Sequence, residues 1–199
     1  MTDPDDIPLF PLQTVLFPGG VLPLRVFETR YLDMVSECLR RSGGFGICAI
    51  RSGTETGAAA DCYATGTLAL IQDFDRDDDE LLNIVVRGER RFRVLEQRLM
   101  PNQLLRARVE WLEEADDDAL PDQYRPLAKL LSQLLRRAGT PYADQHADFE
   151  YAAWVAGRLT ELLPFALADK QRLLEMDVPV QRLATLYREL LAEEVDSSR

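Results

Sequence analysis

Residues 104–138 read LLRARVEWLEEADDDALPDQYRPLAKLLSQLLRRA, and the chain changes character within them. Leu104 to Leu112 is a short apolar run of the kind that forms a strand. Glu113-Glu114-Ala115-Asp116-Asp117-Asp118 then reads as a solvated acidic linker. Beyond it Tyr124, Leu127, Ala128, Leu131, Leu134, Leu135 and Ala138 form an unbroken stripe at helical spacing, opened by Pro121 and closed by Gly139 and Pro141. This switch from strand to helix period near residue 115 predicts a β-rich subdomain over residues 1–115 and a helical bundle over 116–199.

Upstream of the switch, Ile7 to Leu12, Val21 to Val26, Phe45 to Ile50, Thr65 to Phe74, Leu81 to Val86 and Arg91 to Gln97 are further strand-like runs separated by turn residues. Alternation is clearest at Arg91-Phe92-Arg93-Val94, where period two places the arginines on a solvated face and Phe92 and Val94 on the other. Strands this closely spaced predict an antiparallel or mixed sheet curled into a barrel, which removes exposed edges. One helix interrupts them from Glu28 to Arg41, with Tyr31, Met34, Val35, Cys38 and Leu39 on one face and Gly43-Gly44 as its stop.

Downstream, helices are expected from Asp148 to Leu162, from Asp169 to Met176, and from an N-cap at Asp177 with Pro179 in the first turn. The last of these should bury Leu183, Leu186, Tyr187, Leu190 and Leu191. Leu127, Leu131 and Leu134 exceed what a small bundle needs for itself. The expected fold class is therefore α+β: an N-terminal curled β pseudo-barrel with one inserted helix, packed on a C-terminal helical bundle.

Composition narrows the function. The chain has 199 residues, a formal charge of −11 and 46% hydrophobic residues, as in an acidic globular protein. A chain of this length buries roughly 70% of its unfolded surface, so no disulfide or metal staple is needed. Its acidic start is unlike a signal peptide, and its longest apolar stretch, Leu162 to Ala168, is far short of the roughly 18 residues of a membrane span. The expected location is the cytoplasm, with no membrane partner. The lysines, Lys129 and Lys170, have no G-x-x-x-x-G-K-[ST] context, which excludes a P-loop ATPase. A single histidine, His146, excludes a His-rich zinc site within the chain. Cys38, Cys48 and Cys62 lack C-x-x-C spacing and read as small buried apolar residues, with a reactive thiol as the alternative.

Candidate chemistry is sparse. Asp73 to Glu80 is rich in carboxylates, but a calcium loop begun at Asp73 would need Gly at Asp78 and Glu at Ile84. His146 has no Ser or Cys beside it to make a triad. Lys129 and Ser132 lie one helical turn apart, and a nucleophilic pair would need that lysine buried. Arg87, Arg90, Arg91, Arg93, Arg98, Arg106 and Arg108 could form a phosphate-reading surface, although Glu89, Glu96 and Glu110 are interleaved with them. Neither a catalytic residue, a metal ligand nor a cofactor site is expected.

Longer motifs carry a resemblance. Ile7-Pro8-Leu9-Phe10-Pro11-Leu12, Val15-Leu16-Phe17-Pro18-Gly19, Leu22-Pro23-Leu24 and Val26-Phe27-Glu28-Thr29-Arg30-Tyr31 resemble the amino-terminal domain of the Lon ATP-dependent proteases. The likeness continues through Gly66-Thr67-Leu68, Leu81 to Gly88, Arg91-Phe92-Arg93-Val94, Trp154, Lys170 to Glu175 and Arg182-Leu183. It implies a PUA-like β-subdomain joined to a helical bundle, which recruits protein substrates while ATP hydrolysis and peptide cleavage belong to later domains. The chain looks like a stand-alone member without those domains. Two positions depart from the family: Asp77-Asp78-Asp79-Glu80 replaces the usual Asp-Gly-Arg turn, and Asn102-Gln103 stands where an aromatic is common.

Within the motif, Pro11, Pro18 and Pro23 hold extended segments, and Gly19-Gly20 permits a tight turn. Glu28, Arg30, Tyr31, Arg91 and Phe92 are read as scaffold, Glu28 at a helix start and placed to pair with an arginine of the Arg91 strand. The expected function is a non-catalytic module binding unfolded or exposed apolar polypeptide segments, in a groove between subdomains or along a free sheet edge, with a separate protease as a further partner. Leu12, Phe17, Leu22 and Phe27 are the candidate contact residues. RNA binding by a PUA-like sheet and a hydrolase activity stand as alternatives; nucleic acid is disfavoured by the negative charge.

Overall fold

Residues 6–111 supply six strands and a helix in the order β1 (Asp6–Leu12), β2 (Val21–Val26), α1 (Thr29–Arg41), β3 (Phe45–Ser52), β4 (Asp61–Arg76), β5 (Leu82–Leu99) and β6 (Leu105–Trp111). The structure is a computed structural model that describes residues 5–57, 59–76, 81–114, 118–144 and 147–197. It divides into two compact units, Met1–Glu113 and Glu114–Arg199.

In the first unit the sheet order is β2-β5-β4-β3-β1-β6, and β5 also pairs with β6. Strands β1, β3, β4, β5 and β6 thus close into a ring, and β2 hangs on β5 alone. The β1–β3 pair is parallel and the others antiparallel. The two runs Leu81–Val86 and Arg91–Gln97 are one strand, not two. Gly88 reads as a break, but β5 passes through it while changing partners, from β2 at Leu82–Arg87 to β6 at Phe92–Leu99.

One buried cluster draws on all five ring strands: Ile7, Leu9, Cys48, Phe92, Leu105, Ala107 and Val109, with Leu68 of β4 packed against them. A cluster of that origin is the ring's interior. A second cluster joins Phe10, Leu12, Phe45, Ile47, Ile84 and Val86 of the sheet to Tyr31, Met34, Val35 and Cys38 of α1. Successive residues Leu9 and Phe10 therefore enter opposite cores, which is why β1 and β3 are continuously apolar rather than alternating. The interior is tight: a Cβ on Gly66 would sit 2.4 Å from the Ile47 carbonyl oxygen and 2.7 Å from the Phe92 ring.

Alternation at Arg91–Val94 misleads on one point, since Arg91 is fully buried. Its cross-strand partner Thr67 donates a hydrogen bond to the Leu16 carbonyl at 2.5 Å. The β1–β2 loop, with Val15, Leu16 and Phe17 all buried, thus covers the face that the pattern assigns to water. Pro18 and Gly19 form the loop's tight turn, with Gly19 at φ 74° and the Gly20 N–H donating to the Phe17 carbonyl at 3.0 Å. Hydrogen bonds from Gly19 N–H to the Gly88 carbonyl and from Gly88 N–H to the Gly20 carbonyl, both 2.8 Å, fasten that turn to β5. Helix α1 ends at a left-handed Ser42 (φ 49°), one residue before the expected glycine stop, and Leu39 stays exposed.

The second unit contains α2 (Arg125–Ala138), α3 (Ala152–Leu162), α4 (Leu167–Leu174) and α5 (Pro179–Ser197). Leu127, Leu131 and Leu135 are the buried seam of α2. Helix α3 starts four residues later than its apolar pattern implies. Tyr151 is extended and bridged to Ala119, and the Ala152 N–H donates to the Asp118 carbonyl at 2.9 Å, so tertiary pairing holds the segment before Ala152 out of the helix. Val178, not Asp177, supplies the first carbonyl of α5, accepting from the Gln181 and Arg182 N–H groups. Leu183 and Leu186 are buried, whereas Leu191 is exposed.

Candidate functional site

A cavity of about 250 Å³ opens where β1 ends, β2 runs out and α1 begins. Phe10, Leu12, Leu24, Val26 and Tyr31 line it, with Phe27 and Glu28 at the β2–α1 joint and Glu55 and Thr56 opposite. Its floor is rigid. Phe10 stacks on Tyr31 with ring centroids 4.1 Å apart and tilts against Phe45 at 5.8 Å. The Arg30 guanidinium lies 4.7 Å from the Tyr31 ring centre, pairs with the Glu28 carboxylate at 2.9 Å, and donates to the Gln103 carbonyl at 3.0 Å. Glu28 therefore pairs within its own helical turn rather than across to the Arg91 strand. Burial pushes the Tyr31 phenol up to about 12, so Phe10, Leu12 and Tyr31 make a neutral floor, with the charged residues Arg25, Glu28 and Glu55 also lining the cavity. The rim loop is tied down by the Gln13 N–H donating to Glu55 Oε1 at 2.5 Å.

Of the sequence candidates, this cavity brings together Leu12 and Phe27 and adds Glu28 and Tyr31. Leu12 is buried in its wall, while Phe27 is 56% exposed, an unusual position for a phenylalanine, and forms the lip. Phe17 lies elsewhere, buried in the β1–β2 loop. Leu22 is half-buried against the α1-side core. Phe10 stood within a quoted motif without being singled out. Glu55 and Thr56 carry no sequence signal, because only folding brings their loop to β2.

The free edge of β2 is poorly made for strand addition. Pro23 has no N–H to offer, and edge prolines are a common way to blunt such an edge. A side-chain cavity beside that edge suits capture of apolar groups better than backbone pairing does.

Arg93, Arg98, Arg106 and Arg108 on β5 and β6 face carboxylates. Arg93 stands opposite Glu110 and Glu96 opposite Arg108, each pair 3.6 Å apart. Arg98 and Arg106, also opposite one another, share Asp6 at 2.7 and 3.0 Å. Burial acts to raise the Asp6 pKa, but hydrogen bonds from both arginines hold it below 3.8. Arg90 covers the Trp111 ring at 5.2 Å. This is a surface of cross-strand ion pairs rather than an open cationic field.

The three thiols are free and held protonated. Burial pushes Cys38 and Cys62 to about 11 and Cys48 well above the ordinary range. Lys129 is exposed rather than buried, and Ser132 is half-buried. No group of three His, Cys, Asp or Glu side chains among the described residues could hold a metal ion. Asp77 to Glu80, the core of the calcium reading, and His146 lie outside the described residues. Among those residues no helix is long and apolar enough to cross a membrane.

Comparison with known proteins places these features in a wider set. The family model of the ATP-dependent protease La (LON) substrate-binding domain matches residues 6–192. A Lon N-terminal domain protein from Xanthomonas campestris superposes with a TM-score of 0.75 at 39% identity, covering 92% of this chain and 97% of that one. The N-terminal domain of the Mycobacterium avium complex Lon protease shares the fold, with a TM-score of 0.61 at 23% identity over 91% of this chain and 95% of that one. Lon protease of Anaeromyxobacter dehalogenans is 28% identical over an alignment of 196 positions that covers 94% of this chain and 23% of the protease. The chain thus spans about a quarter of the length of the proteases it matches.

Proposed function

The chain belongs to the family of the ATP-dependent protease La (LON) substrate-binding domain, and from that premise we propose that it is a non-catalytic module that captures apolar polypeptide segments at the cavity under Phe27. The observation that carries this reading is an exposed phenylalanine standing over a rigid, neutral floor of Phe10, Leu12 and Tyr31. A volume of about 250 Å³ admits one or two side chains of a peptide and is below the roughly 300–1,000 Å³ of pockets for drug-sized molecules. Burial of apolar surface contributes roughly 25 cal/mol per Å², less the cost of ordering the peptide, so single-anchor capture is weak and reversible. That suits a module that must release its client, for which a protease acting in trans is the natural recipient.

The arginine surface supports this reading over RNA binding, because four of its cations, Arg93, Arg98, Arg106 and Arg108, are matched by Glu96, Glu110 and Asp6. Fluorescence titration of an unfolded casein against wild type and Phe27→Ser tests the proposal. We expect about tenfold weaker binding in the variant, little dependence on salt, and intact casein on a gel after incubation. Unchanged affinity in a folded Phe27→Ser protein would overturn the site, and purification-resistant cleavage of casein would overturn the non-catalytic reading.

A further inference from the structure

The second unit carries a larger cavity of different chemistry, about 390 Å³, along α2. Leu120, Ala128 and Phe149 make its apolar wall, Lys129 and Arg136 lie on one face of α2, and Glu150 also lines the groove, where its charge acts on Arg125. Phe149 is set edge-on against Trp154, with centroids 5.1 Å apart, and the segment holding it is anchored by the Leu120 N–H donating to the Glu150 carbonyl at 2.7 Å. Arg125, also at the cavity, is already paired with Asp122 at 2.7 Å. Among the described residues neither Lys129 nor Arg136 has a carboxylate within ion-pair distance, while Arg93, Arg98, Arg106 and Arg108 of β5 and β6 are matched to acids. These two exposed cations stand seven residues apart on one helix face beside an aromatic wall.

We propose that this groove is a docking site for a short acidic peptide segment bearing an apolar side chain, distinct from the apolar cavity of the first unit. The carboxylates would meet Lys129 and Arg136 while the apolar group seats against Phe149 and Ala128. Charge complementarity selects this occupant. The overall negative field repels a long polyanion such as a nucleic acid, whose many phosphates outnumber two cations, whereas a short acidic stretch is attracted locally within a Debye length of about 8–10 Å. A neutral apolar segment would leave both cations without a counter-charge and has the better site under Phe27.

The test uses the full chain and a fluorescein-labelled peptide in which Glu and Asp flank a single Phe, read by anisotropy. Three controls accompany it: the Gln/Asn version of the peptide, a single-stranded oligonucleotide, and a sedimentation measurement. The acidic peptide should bind, weaken about tenfold or more in Lys129→Glu/Arg136→Glu, and weaken further with salt. The Gln/Asn peptide should bind less well and ignore the substitution. Both side chains are exposed on a helix, so circular dichroism should be unchanged; Lys129→Arg, which keeps the charge, should retain binding. Equal affinity in the double variant, tighter binding of the oligonucleotide, or self-association abolished by the double variant would each overturn the proposal. Because Phe27→Ser should leave this binding untouched, failure here is distinguishable from failure of the capture site.

Discussion

The two units satisfy their backbone hydrogen bonds in different ways. In the first, a ring of strands satisfies its backbone hydrogen bonds internally, and its interior is filled with Phe92, Leu9 and close-packed glycine. The ion pairs across β5 and β6 lie on the outside, and the two arginines this unit buries, Arg30 at the start of α1 and Arg91 under the β1–β2 loop, are not among the residues that fill the ring. In the second, short helices end inside the unit, and their terminal carbonyls have no partners within the helix. Arg182, 4% exposed, meets that need by donating to the carbonyls of Leu173 and Met176 at the end of α4. Arg158 is 1% exposed on α3 and forms an ion pair with Glu161 at 2.8 Å. A closed sheet satisfies its main-chain groups within its own ladder, whereas short helices need side chains to satisfy their ends.

That contrast breaks most visibly at Gly66. Gly66→Val should abolish folding of the first unit, since the new side chain meets backbone oxygen rather than a movable side chain, at a cost above about 4 kcal/mol. Trp111, which packs edge-on to Phe92, reports the loss by fluorescence in a variant lacking Trp154. Native Trp111 emission in Gly66→Val would mean that the interior is looser than its contacts imply. Next in size, Arg158→Ala should destabilise by about 3–5 kcal/mol in urea, because it breaks a buried ion pair. Arg158→Met, combined with Glu161→Gln, should recover most of that loss; if it does not, the arginine has a role beyond pairing.

The smallest effect belongs to the surface clamp. Asp6→Asn should cost about 1–3 kcal/mol near neutral pH, the range for hydrogen bonds to a charged group. The folded pKa of Asp6 is lowered, so its contribution is present above the unfolded value of about 3.9 and is lost as pH falls through the folded value. Wild type and Asp6→Asn should therefore differ at pH 7 and converge in acid. A difference that persists below the folded pKa would show that shape rather than charge holds β1 to β6.

Much of this was legible in residue order. The seam of α2 was readable because one amphipathic helix repeats its burial every turn. The strands β1, β2 and β3 were readable from apolar runs bounded by Pro and Gly. Helix α3 was harder: buried on most sides, it has no single apolar face, and its start depends on Tyr151 bridging Ala119. At the site, Leu12 and Phe27 could be chosen from the motif, but not Phe10 as the stacking partner of Tyr31, nor the Glu55–Thr56 rim.

Periodicity and turn chemistry are local, so the sequence by itself determined most element types, the change of period near residue 115, a glycine turn beside Gly19 and the absence of a P-loop. Burial is not local. Only the tertiary structure decided that Arg91 lies under the β1–β2 loop, that β5 is one strand with two successive partners, and that Phe27 stays in solvent while Phe17, ten residues before it, does not. Each of those outcomes depends on which distant segment covers a face, and a face carries no mark of its cover until the chain closes on it.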